Sequence, residues 1–251
     1  MSTVTYIQDK HGDTLVYRAL AGKGPGIIYL HGFMSDMQAT KALYVEQLCR
    51  KWGYAFLRFD YFGHGASSGD FMEGTIGKWQ ENVLFMLDTL TQGPQILIGS
   101  SMGAWLMLLA TIARKSRVAG ILGIAAAPDF TQKLIYDKLT KADLEKLEAQ
   151  NFLQAPLSEG EPYAFSKKLL IEARQHCLLD NPIAIDCPIR LLHGIQDTDV
   201  PWEFSQLILE RSRSTNVHLS LIKNGNHRLS TKSDLQLLAY NLKSLIKTVK
   251  I

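Results

Sequence analysis

The sequence predicts an α/β fold, a mostly parallel central sheet with helices on both faces. Two observations carry that expectation. Short apolar runs alternate with stretches of helical periodicity along most of the chain. The runs are near-continuous in hydrophobicity, as a strand requires when helices cover both its faces.

Each element follows from its own residues. TVTYIQ (3–8) and TLVYRAL (14–20), joined across Gly12 and Asp13, read as an antiparallel hairpin on the sheet's edge. GIIYLHG (26–32) is the first buried strand. Residues 38–52 place Ala42, Val45, Leu48, Cys49 and Trp52 on one helical face and stop at Gly53. AFLRFD (55–60) is the next strand. Residues 75–91 place Ile76, Trp79, Val83, Met86, Leu87 and Leu90 on one face. QILIGS (95–100), VAGILGIAAA (118–127), IRLLHG (189–194) and VHLSLIK (217–223) supply the remaining core strands. The last helix opens with Ser233 and Gln236 at capping-box spacing and runs through Leu235, Leu238, Leu242 and Ile246.

One segment breaks the rhythm. Between Pro128 and Asp186 no strand is evident, and residues 139–150 and 164–176 read as helices. The expectation is one domain, 1–251, with a helical lid at 129–186 inserted before the last two core strands, at the end of the sheet where ligands bind.

Composition limits the function classes. The chain has 251 residues, 46% of them hydrophobic and 20% charged, which fits a single globular domain. The net charge of +3 is spread along the chain and gives no reason to expect nucleic acid or an anionic membrane as partner. Three cysteines without a CxxC pair suit reduced thiols. The polar, alternating N-terminus has neither a signal-peptide core nor a transit-like composition, and no apolar run is long enough to span a membrane. A cytoplasmic location is the expectation.

The chemistry is carried by Gly99-Ser100-Ser101-Met102-Gly103. This G-x-S-x-G follows a strand and opens a helix, the nucleophile elbow of the α/β-hydrolase fold. The turn is tight and the serine strained, so a Cβ two residues to either side would collide with the strand or the helix. A serine hydroxyl needs a base. In this fold the order is serine, acid, histidine. Asp197 follows the strand IRLLHG, with Asp199 as the near alternative. His227 follows VHLSLIK in a polar loop. The tetrahedral intermediate needs N–H donors, expected from Met102 and from Phe33 in the loop after GIIYLHG. His31 and His193, each before a glycine at a strand end, read as structural. No HExxH, P-loop or G-x-G-x-x-G pattern is present, so neither a metal nor a cofactor is expected.

Beyond these motifs, GPQILIGSSMGAWLM (93–107), HCLLDNPIAIDCPIRLLHGIQDTDVPW (176–202), NHRLS (226–230) and TIGKW (75–79) resemble a known family. It is the mitochondrial α/β-hydrolase-domain enzymes described as palmitoyl-protein thioesterases and acyl-glucuronide esterases. The resemblance implies a Ser-His-Asp hydrolase of esters or thioesters, with its nucleophile, acid and base at Ser101, Asp197 and His227. A bacterial relative is the expectation. Substrates would be small-molecule or acylated-protein esters and thioesters. Leu134, Ile135, Phe152 and Phe165 are candidate acyl contacts, and the oligomeric state stays open. The alternatives are peptide or C–C bond hydrolysis by the same triad, or a non-catalytic binding protein of this fold.

Overall fold

The computed structural model describes residues 3–155 and 163–249. Eight strands form the central sheet: β1 (Thr5–Gln8), β2 (Thr14–Leu20), β3 (Lys23–Leu30), β4 (Tyr54–Phe59), β5 (Gln95–Ser100), β6 (Val118–Ile124), β9 (Ile189–Gly194) and β10 (Val217–Ile222). Their spatial order is β1-β2-β4-β3-β5-β6-β9-β10. From β4 to β10 all neighbours are parallel, while β2 pairs antiparallel with both β1 and β4. The edge hairpin and the parallel core are as the sequence predicts.

The strand hydrophobicity has a simple cause. Ile28 and Leu30 of β3 and Leu97 of β5 enter one core with α2 (Ile76–Leu90) and α3 (Met102–Ala113). Ile27, Tyr29, Ile96 and Ile98 enter a second core on the opposite face, with α1 (Thr40–Trp52) and α7 (Lys232–Thr248). Neighbouring residues point to opposite faces of a strand, and here both faces are dry. The chain leaves β3 for β4 on one side, then crosses back to β5 on the other. Such a reversal opens a crevice at the C-terminal strand ends.

Two local expectations are corrected. Helix α7 is capped by Thr231, which accepts from Asp234 N–H while the Asp234 carboxylate accepts from Thr231 N–H, so Ser233 and Gln236 are not its capping box. The segment between β6 and β9 is not wholly helical. It holds α4 (Lys141–Gln150), then β7 (Phe152–Ala155) paired antiparallel with β8 (Tyr163–Ser166), then α5 (Lys167–Glu172). Asn151, in the left-handed conformation at φ 63°, ends α4 and turns the chain into β7. Ser166 accepts from Leu169 N–H and starts α5 three residues later than its apolar period suggests. Alternation decides the strands: Leu153 and its partner Phe165 are both buried.

The segment is tied to the core at both stems. The Asp129 carboxylate accepts from Leu178 N–H at 2.8 Å and Leu179 N–H at 2.7 Å, joining its two ends. Glu172 accepts at 3.0 Å from Gly77 N–H in the first turn of α2. Helix α6 (Glu203–Arg211) connects β9 to β10.

Candidate active site

Ser101 stands between β5 and α3 at φ 54° and ψ −122°. Such a conformation costs a non-glycine residue on the order of 1–3 kcal/mol, so its surroundings must impose it. They do. Ser101 N–H donates to the Ile124 carbonyl at 2.9 Å, and its own carbonyl accepts from Ala104 N–H at 2.9 Å and Ala127 N–H at 3.3 Å. The flanking glycines permit the turn. A Cβ on Gly99 would lie 2.5 Å from the Ala104 Cα, and one on Gly103 would lie 2.2 Å from the Leu30 carbonyl oxygen. The N-terminus of α3 therefore seats directly on the end of β3.

The loops after β9 and β10 bring two further side chains to this point. His227 Nε2 is 3.1 Å from Ser101 Oγ, and His227 Nδ1 is 2.8 Å from Asp197 Oδ2. A carboxylate oxygen only accepts, so Nδ1 carries the proton and Nε2 faces the hydroxyl as acceptor. The Asp197 side chain is fully buried while that of His227 is 23% exposed. Asp197, rather than Asp199, partners His227. The Asp199 backbone N–H instead donates to Asp197 Oδ1 at 3.0 Å, beside Val200 N–H at 2.8 Å. Burial alone would raise the Asp197 carboxyl. Hydrogen bonds from His193 and His227, the His227 charge and the Val200 N–H outweigh it and hold the group far below the usual carboxylate range.

The two residues expected to supply oxyanion donors lie at the start of α3 and in the loop after β3. Met102 is the first residue of α3, where N–H groups have no acceptor within the helix. Phe33 follows Gly32, and Gly32 approaches so closely that a Cβ there would lie 3.3 Å from Ser101 Cβ. The Phe33 loop is held from several sides. His31 Nδ1 donates to the Gly32 carbonyl at 2.9 Å, Asp60 accepts from Met37 N–H at 2.7 Å, and Arg58 donates to the Met37 carbonyl at 2.6 Å. Burial, helped by nearby His64, pushes His31 down to about 3.

A cleft opens beside Ser101 and His227, with Phe33, Ala127, Phe130, Leu134, Ile135, Tyr163, Phe165 and Val200 along its apolar side. Of the four acyl contacts expected from the sequence, Leu134, Ile135 and Phe165 line it. Phe152 does not. It sits on a separate surface groove with Met72 and Ile171, because β7 turns Leu153 rather than Phe152 toward the core. Phe33 stacks on Phe165 with centroids 5.0 Å apart and planes 6° from parallel, so the insertion touches the loop after β3 directly. Phe130 and Tyr163 join the wall without a signal in the sequence, because neither an apolar residue in a loop nor one in a four-residue strand shows the direction it faces.

The polar side of the cleft holds Lys41, Asp199 and Arg228. Burial and then the Arg228 charge lower the Lys41 ammonium to about 8. Ligand atoms of Asp197, Asp199 and His227 lie within 4.8 Å of one another. The Asp197 oxygens already accept from two backbone N–H groups and two imidazoles, so the trio functions as a hydrogen-bonded unit.

Comparison with known proteins gives a consistent result. Residues 25–169 match the family model described as serine aminopeptidase, S33. The chain is 41% identical over 249 residues to the mitochondrial palmitoyl-protein thioesterase ABHD10 of Bos taurus, covering 98% of this chain and 80% of that protein. It is 44% identical over 234 residues to the Homo sapiens protein of that name, covering 92% of this chain and 76% of that protein. Among solved structures, mouse alpha/beta hydrolase domain-containing protein 10 superposes with a TM-score of 0.92 at 40% identity, covering 98% of this chain and 99% of that one. A putative hydrolase from Agrobacterium vitis S4 superposes with a TM-score of 0.92 at 32% identity, covering 98% of each. The mammalian relatives are named mitochondrial, which lends no support to the cytoplasmic location expected from the sequence. Among the described residues no helix is long and apolar enough to cross a membrane.

Proposed function

This chain belongs to the α/β-hydrolase family that contains the ABHD10 palmitoyl-protein thioesterases, and we propose that it hydrolyses acyl esters and thioesters through Ser101, His227 and Asp197. The observation that carries the reading is the unbroken hydrogen-bond chain from Ser101 Oγ through His227 to Asp197, at 3.1 and 2.8 Å.

In this mechanism His227 Nε2 takes the Ser101 proton as Oγ attacks the acyl carbonyl. Asp197 keeps the proton on Nδ1 and stabilises the imidazolium. The carbonyl oxygen, now an oxyanion, lies between the Phe33 and Met102 N–H groups, each donor worth roughly 10²–10³ in rate. Collapse expels the alcohol or thiol, which takes the proton back from His227. Water then attacks the acyl-Ser101 ester by the same route and frees the acid.

The cleft suits an acyl group. It holds about 200 Å³ and its long wall is apolar. That is below the roughly 300–1,000 Å³ of sites enclosing drug-sized ligands, and it suits one acyl chain or one side chain at a time. Small-molecule and acyl-cysteine thioesters are the expected substrates.

The test is a panel of p-nitrophenyl esters and acyl-CoA or acyl-cysteine thioesters of graded length, run beside aminoacyl and peptidyl p-nitroanilides. Turnover of esters and thioesters, lost in Ser101→Ala, supports the reading. Preferential turnover of the anilides, or full activity in Ser101→Ala, overturns it.

A further inference from the structure

One fully buried side chain next to the site takes no part in the catalytic steps. His193, the fifth residue of β9, is fully buried. Its Nδ1 lies 2.7 Å from Ser205 Oγ on α6, and Ser205 is itself fully buried. Its Nε2 lies 3.1 Å from Asp197 Oδ2 and 3.1 Å from the Val200 carbonyl oxygen. Both partners of Nε2 are pure acceptors, so Nε2 carries a proton. The oxygen it meets is the one that accepts from His227 Nδ1.

We infer that His193 is a positioning residue for the hydrolysis, acting through Asp197: its Nε2–H shares Oδ2 with His227 and so weakens the pull of the carboxylate on the imidazolium. The inference rests on the triad reading above. Two donors divide the capacity of one carboxylate oxygen, and the charge presented to His227 is correspondingly smaller. A carboxylate oxygen that meets one donor fewer favours the imidazolium more strongly. The same contact fixes the geometry. Ser205 and the Val200 carbonyl hold the imidazole, the imidazole holds Oδ2, and the Asp199 and Val200 N–H groups hold Oδ1.

Other titratable groups around His227 set the background of any pH profile. Asp199, Arg228, Lys41 on α1 and Tyr163 on β8 line the same cleft. None of them appears among the hydrogen-bond partners of His193, which are Ser205, Asp197 and Val200. Replacing His193 therefore changes the Asp197–His227 couple more directly than it changes their field.

The experiment is the pH dependence of kcat/KM for a p-nitrophenyl ester, whose acid limb reports the base of the free enzyme. His193→Leu removes the donor and should move the acid limb up by about 0.5–1 pH unit. His193→Gln offers an amide N–H near the Nε2 position and should return the limb most of the way. An acid limb unmoved in both variants, with only a uniform loss of rate, overturns the inference and leaves His193 a packing residue.

If His193→Leu does not fold, the unmodified enzyme decides. Long-range ¹H–¹⁵N spectra of its imidazoles should give a proton on His193 Nε2 from pH 5 to 9, and an Nδ1–H-only tautomer contradicts the inference. Ser101→Ala separates the two claims. Full activity there sinks the triad itself, whereas an inactive Ser101→Ala with an unshifted His193→Leu limb sinks only the role of His193.

Discussion

Asp197→Asn is the substitution whose consequence follows most closely from the hydrogen bonds. Oδ1 accepts from the Asp199 and Val200 N–H groups at 3.0 and 2.8 Å, so the amide oxygen of the variant is held there. Its NH₂ must then occupy the Oδ2 position, where His227 Nδ1 and His193 Nε2 now point N–H groups at it. Two donors facing a donor cannot stand. His227 escapes by shifting its proton to Nε2 and accepting from the amide through Nδ1. Its Nε2–H then faces Ser101 Oγ across 3.1 Å, and the ring can no longer take the serine proton. A wrong-tautomer base costs a factor of about 10⁴ in kcat, or about 5 kcal/mol of transition-state stabilisation. The assay is kcat for a p-nitrophenyl ester at pH 7.5, with near-ultraviolet circular dichroism to verify the fold. KM should change little, since Asp197 is buried away from the acyl cleft. A loss below tenfold in a folded Asp197→Asn variant would refute the tautomer argument.

Three further outcomes are expected. Gly103→Ala drives a Cβ to within 2.2 Å of the Leu30 carbonyl and 2.5 Å of the His31 carbonyl, so α3 must lift from β3; urea unfolding should register a loss of about 2 kcal/mol or more, with kcat falling as Met102 moves. Leu134→Ala should raise KM for octanoyl esters by about tenfold and leave acetyl esters nearly unchanged, while Phe152→Ala should alter neither in steady-state assays. Burial holds His31 at about 3 and His64 at about 4, below the roughly 6.5 of an unfolded chain. The unfolded state therefore binds more protons in that window, and stability present above pH 6.5 is lost as pH falls toward 4 at about 1.4 kcal/mol per unit per histidine. His64→Gln should flatten that slope in pH-dependent urea titrations, and an unchanged slope would contradict it.

The sheet was legible because its demands are strong and local. Strands such as QILIGS must be apolar on both faces, and the glycines of the elbow answer to clashes of 2.2–2.5 Å. The order of Ser101, Asp197 and His227 was legible because each follows a strand that ends at the same edge of the sheet. What stayed hidden depended on direction. Phe152 and Leu153 are equal in sequence, yet only Leu153 joins the core. The strands β7 and β8 are four residues each, too short to display a period, and the 164–176 stretch masks β8 under helical spacing. Thr231 and Ser233 both offer a cap hydroxyl, and the carboxylate of Asp234 selects Thr231 because it can accept from the Thr231 N–H. His193 was readable as structural, but not as a second donor to Asp197, since spacing alone does not reveal which way a strand-end side chain turns.

Hydrolysis by this site requires an activated hydroxyl at Ser101. Treatment of the purified protein with a fluorophosphonate, followed by peptide mass mapping, should place one phosphonyl group per chain on Ser101, with none on Ser101→Ala and strongly slowed modification in His227→Ala. An unreacted protein, or a label carried at another residue, would contradict it.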